Sequence, residues 1–168
     1  MTELHTVMPH ERLEGSGVSA LLAHRYPFLL VDRIDIWEPG RRVIGTKQIS
    51  AGEWWCYGAD RSPETLPFSL VVEATAQTSG ALMRDLAHGA EGAVAYFMGA
   101  NRVRMRRTAR PGDELTMEIT LRQWRWGICR THGVATVSGQ LVASADLTTI
   151  VRGVASYELS SVKSAREG

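Results

Sequence analysis

Two stretches in the first third of the chain have strand-like residue content, and apolar and charged residues alternate toward the end of the first one, a pattern typical of half-buried strands. The stretches span residues 28–37 and 42–49, and the turn-forming pair Pro39-Gly40 lies between them. Because only a short turn separates them, the sequence predicts a hairpin of two antiparallel strands.

Residues 63–86 show a different pattern, in which apolar side chains fall on nearly every side of a helix. A helix that is apolar all round is buried inside a domain. Pro67 suits the first turn, where the missing N–H costs nothing, and Gly89 suits the C-terminal end. The sequence therefore predicts one long buried helix.

Five strand-like stretches follow the helix, at residues 93–98, 102–106, 114–122, 127–137 and 140–151. A hairpin, a buried helix and a meander together indicate an α+β domain, with an antiparallel sheet wrapped around one long central helix. This arrangement is the hotdog fold. We predict the domain over residues 19–158, between a polar N-terminal lead-in of residues 1–18 and a polar C-terminal tail of residues 159–168.

Composition changes this picture little. The 168 residues are 44% hydrophobic with a net charge of +1, so no overall field attracts nucleic acid or a membrane surface. No apolar run approaches the roughly 20 residues that span a bilayer. The two cysteines, Cys56 and Cys129, are expected to be free thiols of a cytoplasmic protein. The histidines have no metal-site spacing, so we predict no metal.

Glu73 is the first candidate for chemistry, because it interrupts the apolar helix between Val72 and Ala74. A carboxylate in such surroundings needs a firm hydrogen-bond partner. Gln77 lies four residues further along and shares its helical face, so it is the expected partner. From the residues alone, Glu73 is either a catalytic group or a structural carboxylate that reaches solvent or a partner subunit.

A basic segment is the second candidate. Arg102, Arg104 and Arg106 alternate with apolar residues and are predicted to share one face of a strand, and Arg110 follows shortly. The segment is either a solvated sheet face or a docking patch for an acidic carrier protein or its phosphate.

Four stretches resemble the β-hydroxyacyl-acyl-carrier-protein dehydratases of fatty-acid synthesis. They are residues 24–33 (HRYPFLLVDR), 66–77 (ending in EATAQ), 110–115 (RPGDEL) and 133–137 (GVATV). The resemblance covers about residues 21–151 and implies a hotdog dimer with its sheets joined edge to edge. It implies that each site pairs a histidine of one protomer with a helix carboxylate of the other, here Glu73. Such a site removes water from a 3-hydroxyacyl chain on phosphopantetheine, with no other cofactor.

The chain departs from this family at the catalytic histidine. That histidine belongs to a Gly-His-Phe-Pro motif, which falls on residues 58–61 when counted back from Glu73 without gaps. Gly58 is retained, but Ala59 takes the histidine position and cannot move a proton. Asp60 is the best chemical substitute nearby, although a displacement by one residue usually points a side chain elsewhere.

A second departure lies at the start of the helix, where the family has Pro-Gly and this chain has Pro67-Phe68. Phe68 keeps the backbone N–H that faces the thioester carbonyl in the family, but its ring is expected to crowd the pocket. His24 matches a family position outside the catalytic pair, and we expect it to order the loop before Pro27.

Three functions fit these residues. The first is a dehydratase-type subunit that is weak or inactive alone and supplies Glu73 to a site completed by a histidine-bearing partner. The second is a hotdog thioesterase in which Glu73 is the base or nucleophile. The third is a non-catalytic module that binds acyl carriers. The expected partners are an acyl carrier protein and a second subunit, identical or histidine-bearing, in fatty-acid or polyketide biosynthesis; nucleic acid and membrane are not expected.

Overall fold

The strands form one antiparallel sheet in the computed structural model, which describes residues 11–56, 65–86 and 94–152. The strand bounds are Glu11–Glu14 (β1), Arg33–Glu38 (β2), Arg42–Gln48 (β3), Val94–Met105 (β4), Glu114–Arg125 (β5), Ile128–Val137 (β6) and Gln140–Arg152 (β7). Helix α1 spans Ser16–Leu21 and helix α2 spans Phe68–Leu86. The strand order is β1-β2-β3-β5-β6-β7-β4, and every neighbouring pair is antiparallel.

Helix α2 lies across one face of this sheet and contacts β3, β5, β6 and β7. Two glycines allow the close approach. A Cβ on Gly45 would lie 2.7 Å from Thr78 Cγ2, and one on Gly133 would overlap Thr75. The strands place fully buried apolar side chains beneath the helix, among them Ile34, Val43, Leu115, Met117, Ile119 and Leu147. One long helix on an antiparallel sheet confirms the predicted α+β hotdog fold.

The predicted strand over residues 28–37 is correct only from Arg33 onward, where β2 begins. The residues before it turn instead, because the Phe28 and Leu29 amides both donate to the Arg25 carbonyl. The predicted hairpin is confirmed, since β2 pairs with β3 in antiparallel register. Gly40 has φ 67° in the connecting turn, a conformation that favours glycine.

Two predictions of separate elements need correction. Residues 93–98 and 102–106 were expected as two strands, but β4 runs continuously and absorbs the irregularity as register shifts on either side of its centre. The residue 1–18 lead-in contains β1 and the first half of α1, and Val18 is buried in the core. Short elements of this kind carry too little periodicity to be recognised from sequence.

Helix α2 begins later than residue 63, the start of the predicted segment. The Pro67 carbonyl accepts from the Leu70 and Val71 amides, at 2.9 and 3.1 Å, so Pro67 stands just before the first turn. Residues 63 and 64 and the predicted stop at Gly89 lie outside the described residues. Among the helices that are described, none is long and apolar enough to cross a membrane.

Candidate functional site

A groove of about 780 Å³ runs along α2. Its walls are α1, one face of α2, the first residues of β4 and the end of β7. Small residues of α2, Ala76 and Gly80, keep the groove open along the helix. Glu73 and Gln77 line it, so the structure brings both predicted helix residues to one site.

Gln77 joins the helix to the loop before β2. Its Nε2 donates to Glu73 Oε1 at 2.8 Å and to the Phe28 carbonyl at 2.8 Å. Its Oε1 accepts from the Leu30 amide at 2.9 Å. The side chain is only 3% exposed, so these three bonds satisfy a buried amide that would otherwise be costly. The predicted Glu73–Gln77 contact is therefore present, and the two backbone contacts are additional.

The loop segment HRYPFLL gains its shape from these contacts and from Trp54. The Trp54 indole Nε1 donates to the Pro27 carbonyl at 2.9 Å, and its ring stacks on Phe28 with centroids 6.5 Å apart. Asp32, at the end of the segment, accepts from the Gln48 amide at 2.7 Å. The motif thus positions backbone groups around Gln77 rather than forming a strand.

His24 also lies at this site, a placement that sequence reasoning missed. Its Nε2 is 3.6 Å from Glu73 Oε1, and its side chain is 41% exposed. We expected His24 only to order the loop before Pro27. The available signal was its position in the first family-like stretch, but the contact joins residues 49 positions apart and depends on the path of the loop.

The Glu73 carboxylate has two unequal oxygens. Oε1 accepts from Gln77 and faces His24, whereas Oε2 has no hydrogen-bond partner within residues 11–56, 65–86 and 94–152. The side chain is 29% exposed, so it is partly shielded yet open to the groove. One fixed and one uncommitted oxygen suit a carboxyl group that exchanges a proton with a bound molecule.

Phe68 does not crowd this space in the described structure. It is the first residue of α2, and its half-buried ring packs against the core instead of standing among the described residues that line the groove. The other predicted neighbours, Gly58, Ala59 and Asp60, lie outside the described residues.

Not every arginine of the predicted basic face is available to bind a partner, because one of them forms an ion pair within the chain. Arg102 pairs with Asp146, and His132 Nδ1 lies 2.7 Å from the same carboxylate. These two partners lower the pKa of Asp146 below its usual value, the His132 hydrogen bond most strongly. Arg104 pairs in register with Ser144 of β7 and is exposed, and its side chain has no ion-pair partner in the described segments.

Arg106 and Arg110 lie beyond the end of β4 and are exposed. The Arg110 amide donates to Asp113 Oδ2 at 2.8 Å, and Gly112 has φ 97°. The stretch RPGDEL therefore forms a tight turn that leads into β5, which is a structural role for this family-like motif.

Neither cysteine belongs to the groove. Cys56 and Cys129 are buried thiols outside any disulfide, and burial raises the pKa of the Cys129 thiol to about 12. A thiol with a raised pKa is a poor nucleophile. Across the described ranges, no three His, Cys, Asp or Glu side chains are grouped so as to hold a metal ion.

Comparison with known proteins gives consistent results. Residues 22–146 match the family model described as a FabA-like domain. The chain is 41% identical over 138 residues to the 3-hydroxyacyl-[acyl-carrier-protein] dehydratase FabZ of Syntrophotalea carbinolica, across 82% of this chain and 94% of that protein. It is 42% identical over 130 residues to the FabZ of Roseiflexus sp. strain RS-1, across 77% of this chain and 90% of that protein.

Solved structures share the fold at lower identity. The dehydratase heterocomplex ApeI:P from Xenorhabdus doucetiae aligns with a TM-score of 0.68 and 19% identity, covering 82% of this chain and 92% of that one. A hypothetical thioesterase with coenzyme A from Streptococcus pneumoniae TIGR4 aligns with a TM-score of 0.56 and 16% identity, covering 71% and 86%. At these identities the likeness establishes the fold and nothing finer.

Proposed function

Because this chain belongs to the FabA-like family of 3-hydroxyacyl-acyl-carrier-protein dehydratases, we propose that it is a dehydratase subunit of fatty-acid or polyketide biosynthesis. Its substrate is a 3-hydroxyacyl chain held as a thioester on the phosphopantetheine arm of an acyl carrier protein, and its product is the 2,3-unsaturated thioester. One observation carries the proposal: Glu73 lines an open groove with Oε1 held by Gln77, while Oε2 has no hydrogen-bond partner among the described residues.

The reaction needs two proton transfers. A base removes a proton from the carbon beside the thioester carbonyl, and an acid protonates the departing hydroxyl, which leaves as water. Glu73 is proposed as the acid, acting through Oε2 because Oε1 already accepts from Gln77. A positioned acid of this kind accelerates such a step by about 10²- to 10⁴-fold.

The base is proposed to be a histidine of a partner subunit. The family position for this histidine is Ala59, whose side chain carries no titratable proton. A histidine-bearing homologue that faces Glu73 would complete one site and leave the reciprocal site incomplete. One solved structure of the same fold is itself named as a dehydratase heterocomplex, which supports a mixed assembly.

Strand β4 is the proposed place of subunit pairing. It lies at the end of the sheet, and its apolar residues Tyr96, Phe97 and Met98 are 54%, 51% and 64% exposed. An open apolar edge of this length is normally covered by another strand. The resemblance to edge-to-edge family dimers agrees with this placement.

The same strand suggests how a carrier protein docks. Its first residues line the groove, and its last residues carry the basic segment. Antiparallel pairing of two such edges brings the basic end of one strand beside the groove end of the other. Arginine recognises phosphate and carboxylate groups well, so this end suits an acidic carrier. The proposed docking residues are Arg102, Arg104, Arg106 and Arg110.

The test follows a 3-hydroxyacyl-carrier-protein thioester by intact mass spectrometry, first with the purified protein alone and then with a histidine-bearing homologue added. We expect loss of one water only in the mixture, and the Glu73→Gln variant should abolish that loss. Glu118→Gln, at an exposed carboxylate on β5 that pairs with Arg42, is the matched control and should leave the rate unchanged.

Each contrary result has a distinct meaning. Dehydration at full rate by the protein alone would refute the partner-supplied histidine. Release of the free acid would indicate a thioesterase. Dehydration that survives Glu73→Gln in the mixture would remove Glu73 from the chemistry and overturn the proposal.

A further inference from the structure

His24 is the second side chain that faces Glu73 Oε1. Its Nε2 lies 3.6 Å from that oxygen, and the Gln77 Nε2 donor lies 2.8 Å from it. Two nitrogen-bearing side chains therefore converge on one carboxyl oxygen, while Oε2 has no partner in the described structure. Hydrogen bonds at a catalytic group are often long in an empty site and tighten around the substrate.

The backbone around His24 is fixed. The Arg25 guanidinium Nη1 donates to the Leu22 carbonyl and to the His24 carbonyl, each at 2.7 Å. Phe28 and Leu29 then turn back to the Arg25 carbonyl. The imidazole is therefore carried on a braced loop and keeps its place beside the helix.

The two nitrogens of the imidazole have different surroundings. Nδ1 is buried and has no hydrogen-bond partner among the described residues. A proton on Nδ1 would be buried without an acceptor and would leave the Nε2 lone pair facing a carboxyl oxygen, so the neutral ring favours a proton on Nε2. The favoured tautomer carries its proton on Nε2, which makes His24 a donor toward Glu73.

A protonated carboxyl group has one acceptor oxygen and one hydroxyl oxygen. If both neighbouring donors point at Oε1, that oxygen is the acceptor, and the acidic proton resides on Oε2. Oε2 is also the oxygen that is left open beside the groove. The arrangement of donors thus determines which oxygen of Glu73 can give its proton away.

We infer that His24 is a positioning residue that, together with Gln77, holds the acidic proton of Glu73 on Oε2. The inference rests on the proposed role of Glu73 as the general acid. The proton given to the leaving hydroxyl comes from Glu73, and His24 neither gives nor takes a proton in the step. Its role differs from that of the missing family histidine, since it removes no proton from the substrate.

The kinetic test compares His24→Leu with His24→Gln in the assembly with a histidine-bearing homologue. The glutamine amide can place a donor near the position of Nε2, whereas leucine cannot. We expect His24→Leu to lower kcat by about 10- to 100-fold, the effect of one hydrogen bond to an ionisable group, with KM little changed, and His24→Gln to retain most of the activity. His132→Gln, on the opposite face of the sheet, is the matched control.

Two further measurements separate positioning from a structural role. If Glu73→Gln leaves a measurable residual rate, adding His24→Leu should lower that rate no further, because the two residues act through one group. The ¹⁵N chemical shifts of the imidazole should show a protonated Nε2 and an unprotonated Nδ1. This readout needs no activity, so it decides the inference even if the assembly is inactive.

Equal loss in His24→Gln and His24→Leu, an additive loss in the Glu73→Gln background, or a proton on Nδ1 would each overturn the inference. Full dehydration by Glu73→Gln would instead refute the proposed function. A Glu73→Gln variant that is inactive beside a fully active His24→Leu variant would refute the positioning role alone.

Discussion

Gln77 offers the sharpest test of how the site is held, because one buried side chain joins α2 to the loop before β2. The substitution Gln77→Met keeps the length of the side chain and removes all three hydrogen bonds. It leaves the Leu30 amide buried without an acceptor. The Phe28 carbonyl and Glu73 lose a donor but retain some access to water.

The expected destabilisation follows from these three losses. The orphaned Leu30 amide costs about 2 kcal/mol, and each of the other two bonds about 1 kcal/mol. Burying the apolar methionine returns about 1 kcal/mol. The free energy of unfolding should therefore fall by about 3 kcal/mol, which lowers the urea midpoint by about 1.5 M for an m value of about 2 kcal/mol per M.

The assay is urea unfolding followed by circular dichroism at one fixed protein concentration, because assembly affects apparent stability. Gln123→Met is the matched control, since Gln123 is exposed and its Oε1 accepts from Arg130 Nη1, another exposed side chain, at 3.2 Å. Its free energy of unfolding should change by less than about 0.5 kcal/mol. A Gln77→Met midpoint equal to that of the control would refute the role of Gln77 as the buried link.

Three other predictions address packing, reactivity and pH. Gly45→Ala should destabilise by about 1–3 kcal/mol through overlap with Thr78, and Thr78→Ala should relieve part of this loss in a double-mutant cycle; additive effects would contradict the close contact. Cys129, with its pKa raised to about 12, should react with a thiol reagent at pH 8 only after unfolding. His132 and Arg102 lower the pKa of Asp146 in the folded protein. The ionised carboxylate therefore contributes its full stabilisation above the ordinary pKa of 3.8, and this contribution is lost as pH falls through the folded-state pKa. In the Asp146→Asn variant, the free energy of unfolding should therefore fall less steeply as the pH is lowered below 3.8.

The fold was predictable from sequence because its two strongest signals are local. Strand-like residue content between turn signals identified β3, β5, β6 and β7 nearly to their ends, and the all-round apolar segment identified α2. The prediction of a strand before Arg33 was wrong because the backbone groups of Phe28 and Leu30 bond to the Gln77 side chain, which lies 47 positions away from Leu30. Alternation alone carries no information about such a distant partner.

The part of the site that lies on one regular element was also predictable from sequence, whereas the part that depends on a loop was not. The spacing of Glu73 and Gln77 on one helical face predicted their contact, since both lie on a single regular element. The approach of His24 depends on a turn braced by Arg25, and no periodic pattern encodes it. The basic segment was read as one regular strand face, but Arg102 has φ 49° at an irregularity and turns to Asp146.

The position of β4 in the sheet has a consequence for how the protein is made. Its neighbour within the chain is β7, which is completed only at Arg152, 47 residues after Met105. At a synthesis rate of about 5–20 residues per second, β4 waits about 2–9 s for that neighbour. During this interval both of its edges are open, so pairing with another subunit competes in time with closure of the chain's own sheet. In the proposed pairing through β4, the identity of the second subunit therefore depends on when and where the two chains are translated.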